Sequence, residues 1–333
     1  MRHLSDIQAI PRALERMLEG ARKDFESLVR RTGWNQAVIY FIGDSAGYFA
    51  ALRGALAIET QLRRPAIARP VSEFEAYTLP SVEPRSLVIN VTANGASESA
   101  KRLGPKLESG GAALWILDGR GRLLNWREAG AQESTAESEP AAVLDFCLNA
   151  ALTYLAVVAS RVLKAQRKTD REKTEDKFQE LPGQVEWIFS QLADAAKALA
   201  AKLAECGRLR FVGGGFFHPT ALHAAWRIEG FSRKASVVEH AGDTQDIAAA
   251  RGESEGVVIV TGSECRVKSD LHDTARALRH SGKSLFAITD GNDRELVMRS
   301  EMSVLLPQAS ESTGSLFALA LLESVAGFMA RAK

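Results

Sequence analysis

A chain of 333 residues, at about 150 per domain, predicts two domains with cores of ordinary size. Hydrophobic residues make up 46% and charged residues 25%, and 42 Lys and Arg against 41 Asp and Glu leave a net charge of +1. This excludes a disordered or collagen-like chain and supplies no basic footprint for nucleic acid or a membrane surface.

The opening MRHLSDIQAIPRALERMLEG interleaves charges with apolar residues at helical spacing, which predicts a first helix and not a secretory signal. VIYFIGDSAGYFA, from Val38, is an apolar run that breaks into glycine and then into an alanine-rich helical pattern. LVINVT ends at Thr92 and ALWILD at Asp118, and an apolar helix is predicted from Ala141 to Leu163. A charged stretch with almost no apolar residues follows, closing on Pro182-Gly183. Beyond it the design returns: RFVGGGFFHPT from Arg210, VVIVT ending at Thr261, LFAITD ending at Asp290, and an apolar helix from Leu316 to Ala330.

Gly43 and Gly213 are 170 apart, Thr92 and Thr261 169, and Asp118 and Asp290 172, so three independent landmarks share one offset. Apolar runs alternating with helical patterns argue for parallel strands covered on both faces. The expected fold class is α/β, two tandem doubly wound αβα sandwich domains with parallel sheets. Residues 1–165 form the first domain with its N-terminal helix, 166–185 a charged linker, and 186–333 the second domain. The two apolar helices are broken by Asp145, Asn149 and Glu323, which would be costly in lipid, so they predict buried helices and no transmembrane span. Three scattered cysteines, Cys147, Cys206 and Cys265, write neither a disulfide framework nor a C-x-x-C site and fit a reducing cytoplasm.

Ligands of open parallel sheets bind beyond the carboxyl ends of the strands, where helix N-termini present unpaired N–H groups. Two loops of the first half lie there, Gly43-Asp44-Ser45-Ala46-Gly47 and Thr92-Ala93-Asn94-Gly95-Ala96-Ser97-Glu98-Ser99. Hydroxyl and amide side chains around a glycine, just before a helix, suit the cradling of a phosphate monoester. Gly213-Gly214-Gly215 does not complete G-x-G-x-x-G, because His218 stands where the third glycine is needed, so no nicotinamide or other cofactor is expected. His218 and His223 are five apart and do not share one helical face, so no metal site is expected either.

The order strand, G-x-x-[ST]-x-x-[YF]-x-A, then strand, S-x-[SN]-G-x-[ST]-x-[ST], resembles the sugar isomerase domain family. It is carried by FIGDSAGYFAALRGALAIE, VSEFEAY, LVINVTANGASESAKR and VGGGFFHPTALHAAWRIE, and the tandem arrangement resembles the isomerase part of glucosamine-fructose-6-phosphate aminotransferases. The resemblance implies that Thr92, Asn94, Gly95 and Ser97 hold the phosphate of a hexose or amino-sugar 6-phosphate, with Gly43 and Ser45 from the first loop. It also implies a catalytic glutamate at Gly230 and a histidine at Asp246, neither of which matches. Glu229, beside Gly230, and His240 are the remaining candidates for moving a proton next to a carbonyl. Aminotransfer is not expected, since no glutaminase domain precedes the isomerase-like part. The expected function is therefore a phosphosugar isomerase or deglycase, cytoplasmic and homodimeric as the family implies. The alternative is a catalytically degenerate protein that binds and senses a phosphosugar.

Overall fold

The computed structural model describes residues 2–32, 34, 38–95, 98–129, 139–165, 168–241, 254–281 and 283–331. Contacts divide the chain into two units, Ala9–Pro182 on one side and Met1–Gln8 with Gly183–Lys333 on the other.

In the first unit, β1 (Ile39–Gly43), β2 (Ala66–Pro70), β3 (Leu87–Thr92), β4 (Ala113–Asp118) and β5 (Leu123–Asn125) form one sheet in the order β2-β1-β3-β4-β5. The central strands β1 and β3 are almost entirely apolar because both their faces are covered. Tyr40, Ile42, Val88, Leu114 and Ile116 point to one face, against Ala100, Leu103 and Leu107. Those last residues belong to the helix Glu98–Ser109, where Ala100, Leu103, Gly104 and Leu107 make a single buried stripe. On the opposite face Phe41 meets Gly54 of the helix Ala46–Leu62, which also packs on Leu152. Leu152 sits in the helix Ala141–Val162, buried without interruption from Ala142 to Ser160. The unit is thus a helix–sheet–helix sandwich.

The second unit repeats this plan with β6 (Arg208–Gly213), β7 (Ser236–His240), β8 (Glu255–Val260), β9 (Ser284–Asp290) and β10 (Met302–Leu306), in the order β10-β9-β8-β6-β7. Read from the other edge, this is the strand order of the first unit. The landmarks of the repeat fall at matching places, with Gly43 and Gly213 ending β1 and β6, and Asp118 and Asp290 ending β4 and β9. Helices Ala193–Glu205 and Phe217–Ser232 both pack against the helix Glu311–Arg331.

The two sheets differ at one edge. All strand pairs of the second sheet are parallel, but β5 runs antiparallel to β4. Four residues, Gly119 to Arg122, separate β4 from β5, which is enough for a reversal and far too few for a crossover. The charged stretch expected as a connection forms the helix Lys168–Gln179, and its Glu175 pairs with Arg22 and Arg161 of the first unit at 3.3 Å each. Pro182 and Gly183 lie in the first turn of the following helix, Leu181–Gln191, a position that tolerates proline.

Two helices, Ala141–Val162 and Glu311–Arg331, are long and apolar enough to cross a membrane, yet both are core helices of their units. Their polar interruptions find partners inside the fold. Asn149 Oδ1 accepts from Arg53 Nε at 3.0 Å, and burial lowers the pKa of this enclosed guanidinium to about 9. Glu323 lies 2.9 Å from His223 Nε2, 3.2 Å from Arg227 Nε and 3.1 Å from His3 Nε2. His3 belongs to the short helix Arg2–Ile7, so this cluster fastens the beginning of the chain to the second unit.

Burial alone would raise the pKa of Glu323, but hydrogen bonds from His223 and His3 and the charge of Arg227 hold it well below the usual carboxylate range. A carboxyl held low in the folded chain adds stability above its unfolded pKa and loses it as pH falls toward the folded one. Glu323→Gln, which removes the carboxylate that His223, His3 and Arg227 share, is expected to cost about 3 kcal/mol in urea unfolding at pH 7. The difference from wild type should shrink below about pH 4.3, where the unfolded chain already carries the proton.

Candidate functional site

After β1 the chain crosses to β2 on one side and then returns to β3 on the other, so the carboxyl ends of β1 and β3 flank the point where the topology reverses. The register sets Gly43 beside Val91. A Cβ on Gly47 would lie 2.6 Å from the Val91 carbonyl oxygen, and one on Gly43 would lie 2.5 Å from the Gly47 carbonyl carbon. Two glycines therefore let the helix Ala46–Leu62 begin directly against β3. Ser45 stands at its start with φ 49° and ψ −122°, exposed and without a capping bond from its side chain. Such a backbone is costly for any residue with a Cβ and concentrates at sites that use it. The carboxylate of Asp44 accepts from Val71 N at 3.3 Å.

The second loop is held from below. Asn90 Nδ2 donates to Ser99 Oγ at 3.1 Å, fixing the start of the helix Glu98–Ser109, and Gly119 N donates to the Ala93 carbonyl at 3.1 Å. Thr92 is half-buried and Asn94 exposed. Gly95, with φ 75°, faces Asp118 and Arg122. Asp118 is fully buried and accepts from Arg120 N at 3.0 Å, Arg122 N at 2.9 Å and Arg122 Nε at 2.7 Å. Arg122 Nη2 lies 2.6 Å from the same carboxylate, so a guanidinium 43% exposed is locked beside Gly95. The structure thus brings Gly43, Ser45, Thr92, Asn94 and Gly95 to one sheet end and adds Arg122. Ser97 lies outside the described residues.

The equivalent place in the second unit is differently furnished. A Cβ on Gly214 would overlap Val267, and one on Gly215 would overlap the carboxylate of Glu311. Asp290 receives Ser263 N at 2.7 Å and Ser263 Oγ at 2.8 Å, and among the described residues no arginine is bonded to it as Arg122 is to Asp118. His240 ends β7, is exposed, and its ring lies 5.1 Å from that of His218. Asp246, where the resemblance places a histidine, lies outside the described residues. Glu229 is exposed in the last turn of the helix Phe217–Ser232, about 18 Å along the axis from its first residue at about 1.5 Å per residue. The helix starts at the glycine loop beside which β7 ends, so Glu229 and His240 occupy opposite ends of the strands and are not brought together. His223 is committed to Glu323, and no group of three metal-ligating side chains occurs among the described residues.

Arg122 and Glu311 escaped sequence reasoning, and His218, weighed there only as a metal ligand, stands beside His240. For Arg122 a signal existed: an aspartate ending a strand, followed four residues on by arginine, closes a turn by a salt bridge.

No family model matches the chain. It is 24% identical over 320 residues, 92% of its length, to glutamine–fructose-6-phosphate aminotransferase (isomerizing) of Thermococcus kodakarensis. It is also 24% identical over 267 residues, 79% of its length, to the protein of that name from Chlorobaculum tepidum. It covers 51% and 43% of these relatives, so the chain spans about half the length of the curated relatives it matches. Among solved structures, the C-terminal domain of glucosamine-fructose-6-phosphate aminotransferase from Francisella tularensis superposes with a TM-score of 0.84 at 14% identity, over 99% of this chain and 96% of that one. Tagatose-6-phosphate ketose/aldose isomerase from Escherichia coli gives 0.76 at 13% identity, over 98% and 92%. The chain resembles the tandem sugar isomerase domain family in sequence and carries its fold.

Proposed function

We propose that the N-terminal unit binds a hexose or amino-sugar 6-phosphate and that the protein works as a phosphosugar isomerase or deglycase. The observation that carries this reading is the convergence of the Gly43–Gly47 and Thr92–Gly95 loops at the β1/β3 switch point, with Arg122 fixed beside Gly95. A dianion there meets neutral donors from Ser45, Thr92 and Asn94 and the partial positive charge of the helix Glu98–Ser109, and the family resemblance adds Ser97. Arg122 adds a full charge whose direction Asp118 has set in advance. The names of the relatives, an isomerizing aminotransferase and a ketose/aldose isomerase, point to the same substrate class.

Turnover in such a site moves a proton between the carbon beside a carbonyl and the carbonyl carbon, through an ene-diol, and needs a base within hydrogen-bond reach. We assign this step to Glu229 or to His240 and not to both together, since they lie at opposite ends of the strands of the second sheet. A cytoplasmic homodimer requiring no cofactor goes with this reading. The exposure of Glu229 at the far end of its helix favours a second reading, a phosphosugar-binding protein without turnover.

Thermal unfolding with hexose, hexosamine and fructosamine 6-phosphates, and with the unphosphorylated sugars as controls, tests the site. A ligand at about 100 times its Kd adds about 2.7 kcal/mol, so the midpoint should rise with the phosphates alone; no rise with any of them rejects the site. Glu229→Gln should abolish turnover and spare binding if Glu229 is the base, and a fully active variant removes it from the mechanism. Ser45→Gly should raise stability by about 1 kcal/mol by relieving the left-handed backbone. It should also weaken sugar-phosphate binding about fivefold, the worth of one neutral hydrogen bond.

A further inference from the structure

The glycine loop of the second unit holds a carboxylate where its counterpart in the first unit is open. Ser45 and Gly215, 170 residues apart, stand at matching turns and share a left-handed backbone, with φ of 49° and 54°. On Gly215 the place of a Cβ is taken by Glu311 Oε1, which is buried there without a hydrogen-bond partner. Phe216, from the loop after β6, and Arg266, from the loop after β8, bring backbone groups near enough to this carboxyl group to act against the effect of its burial. Glu311 therefore gathers backbone groups from both loops of the second switch point, as an anionic ligand would. Burial outweighs those groups and raises its pKa, and the Arg266 guanidinium, 4.0 Å from Oε2, is largely exposed. Cys265, pushed up to about 11 by burial, keeps its proton and turns its thiol to the Gly214 carbonyl at 4.0 Å.

The first unit carries the same residue type at the same place in the repeat and uses it otherwise. Glu139 precedes Glu311 by 172 positions, the interval that separates Asp118 from Asp290. Glu139 is drawn to Arg16 Nη2 at 2.7 Å and Arg120 Nε at 3.9 Å. Ser45 thus has room for its Cβ and hydroxyl where Gly215 has none.

We propose that Glu311 is an internal anion occupying a second phosphate cradle, so that the chain takes one sugar phosphate, in its N-terminal unit, and keeps a latent anion site in its C-terminal unit. The assignment of the first site rests on the function proposed above; that of the latent site does not.

Inorganic phosphate titrated calorimetrically into the full-length wild type, Glu311→Ala and the milder Glu311→Ser, with chloride holding ionic strength constant, separates the two. The expected result is one phosphate per wild-type chain and two per variant chain. None in wild type and one in the variants would reject the first site and keep the latent one. Equal stoichiometry in wild type and in a variant that unfolds cooperatively would overturn the proposal. For a variant too unstable to titrate, the unfolding midpoint is followed against phosphate concentration. A rise steeper than that of wild type supports the proposal, and a slope no steeper than wild type overturns it.

Discussion

The site depends on one close approach, that of the start of the helix Ala46–Leu62 to the last carbonyls of β3. With no side chain on Gly43 or Gly47, the turn folds back on itself and seats the helix within 2.6 Å, measured from an imagined Cβ, of Val91. Any other residue at Gly47 would push the helix off the sheet and widen the crevice between the first and second loops. Because the helix is seated there, Ser45 is forced into a backbone that a serine ordinarily avoids, and it stands exposed at the start of the helix. The same contact fixes where the second loop begins, since Val91 and Thr92 lead straight into it.

The second constraint is the buried carboxylate at the end of β4. Asp118 collects two backbone N–H groups and the side chain of Arg122, closes the turn that reverses into β5, and presents a cation to the Gly95 loop. Its partner in the repeat, Asp290, turns instead to Ser263 and a backbone amide of the loop after β8. One residue type at one place in the fold has thus been wired in two ways, and the charge at the two crevices differs as a result.

Much of the fold was legible because its signals are local. The glycine turns, the strand-terminal threonine and aspartate and the two apolar helices each lie within a few residues, and the offset near 170 joins them into two halves. The edge strands β2, β5, β7 and β10 were missed because they are short and partly exposed, so no unbroken apolar run marks them. That Ser45, Thr92, Asn94 and Gly95 share one sheet end was legible through motif order. Glu311 was not, since it meets Gly215 only through tertiary folding across almost a hundred residues. Nor could helical spacing decide Glu229, whose place at the far end of its helix follows from where that helix begins.

The bond between His3 and Glu323 has a consequence for chain architecture. The first residues belong to the unit that the last residues complete, so the first sandwich is an insertion within the second, entered after Gln8 and left at Pro182. A gene cut between the two sheets would not yield two whole parts. The upstream fragment would carry an orphaned helix, and the downstream one a buried glutamate stripped of one of its histidines.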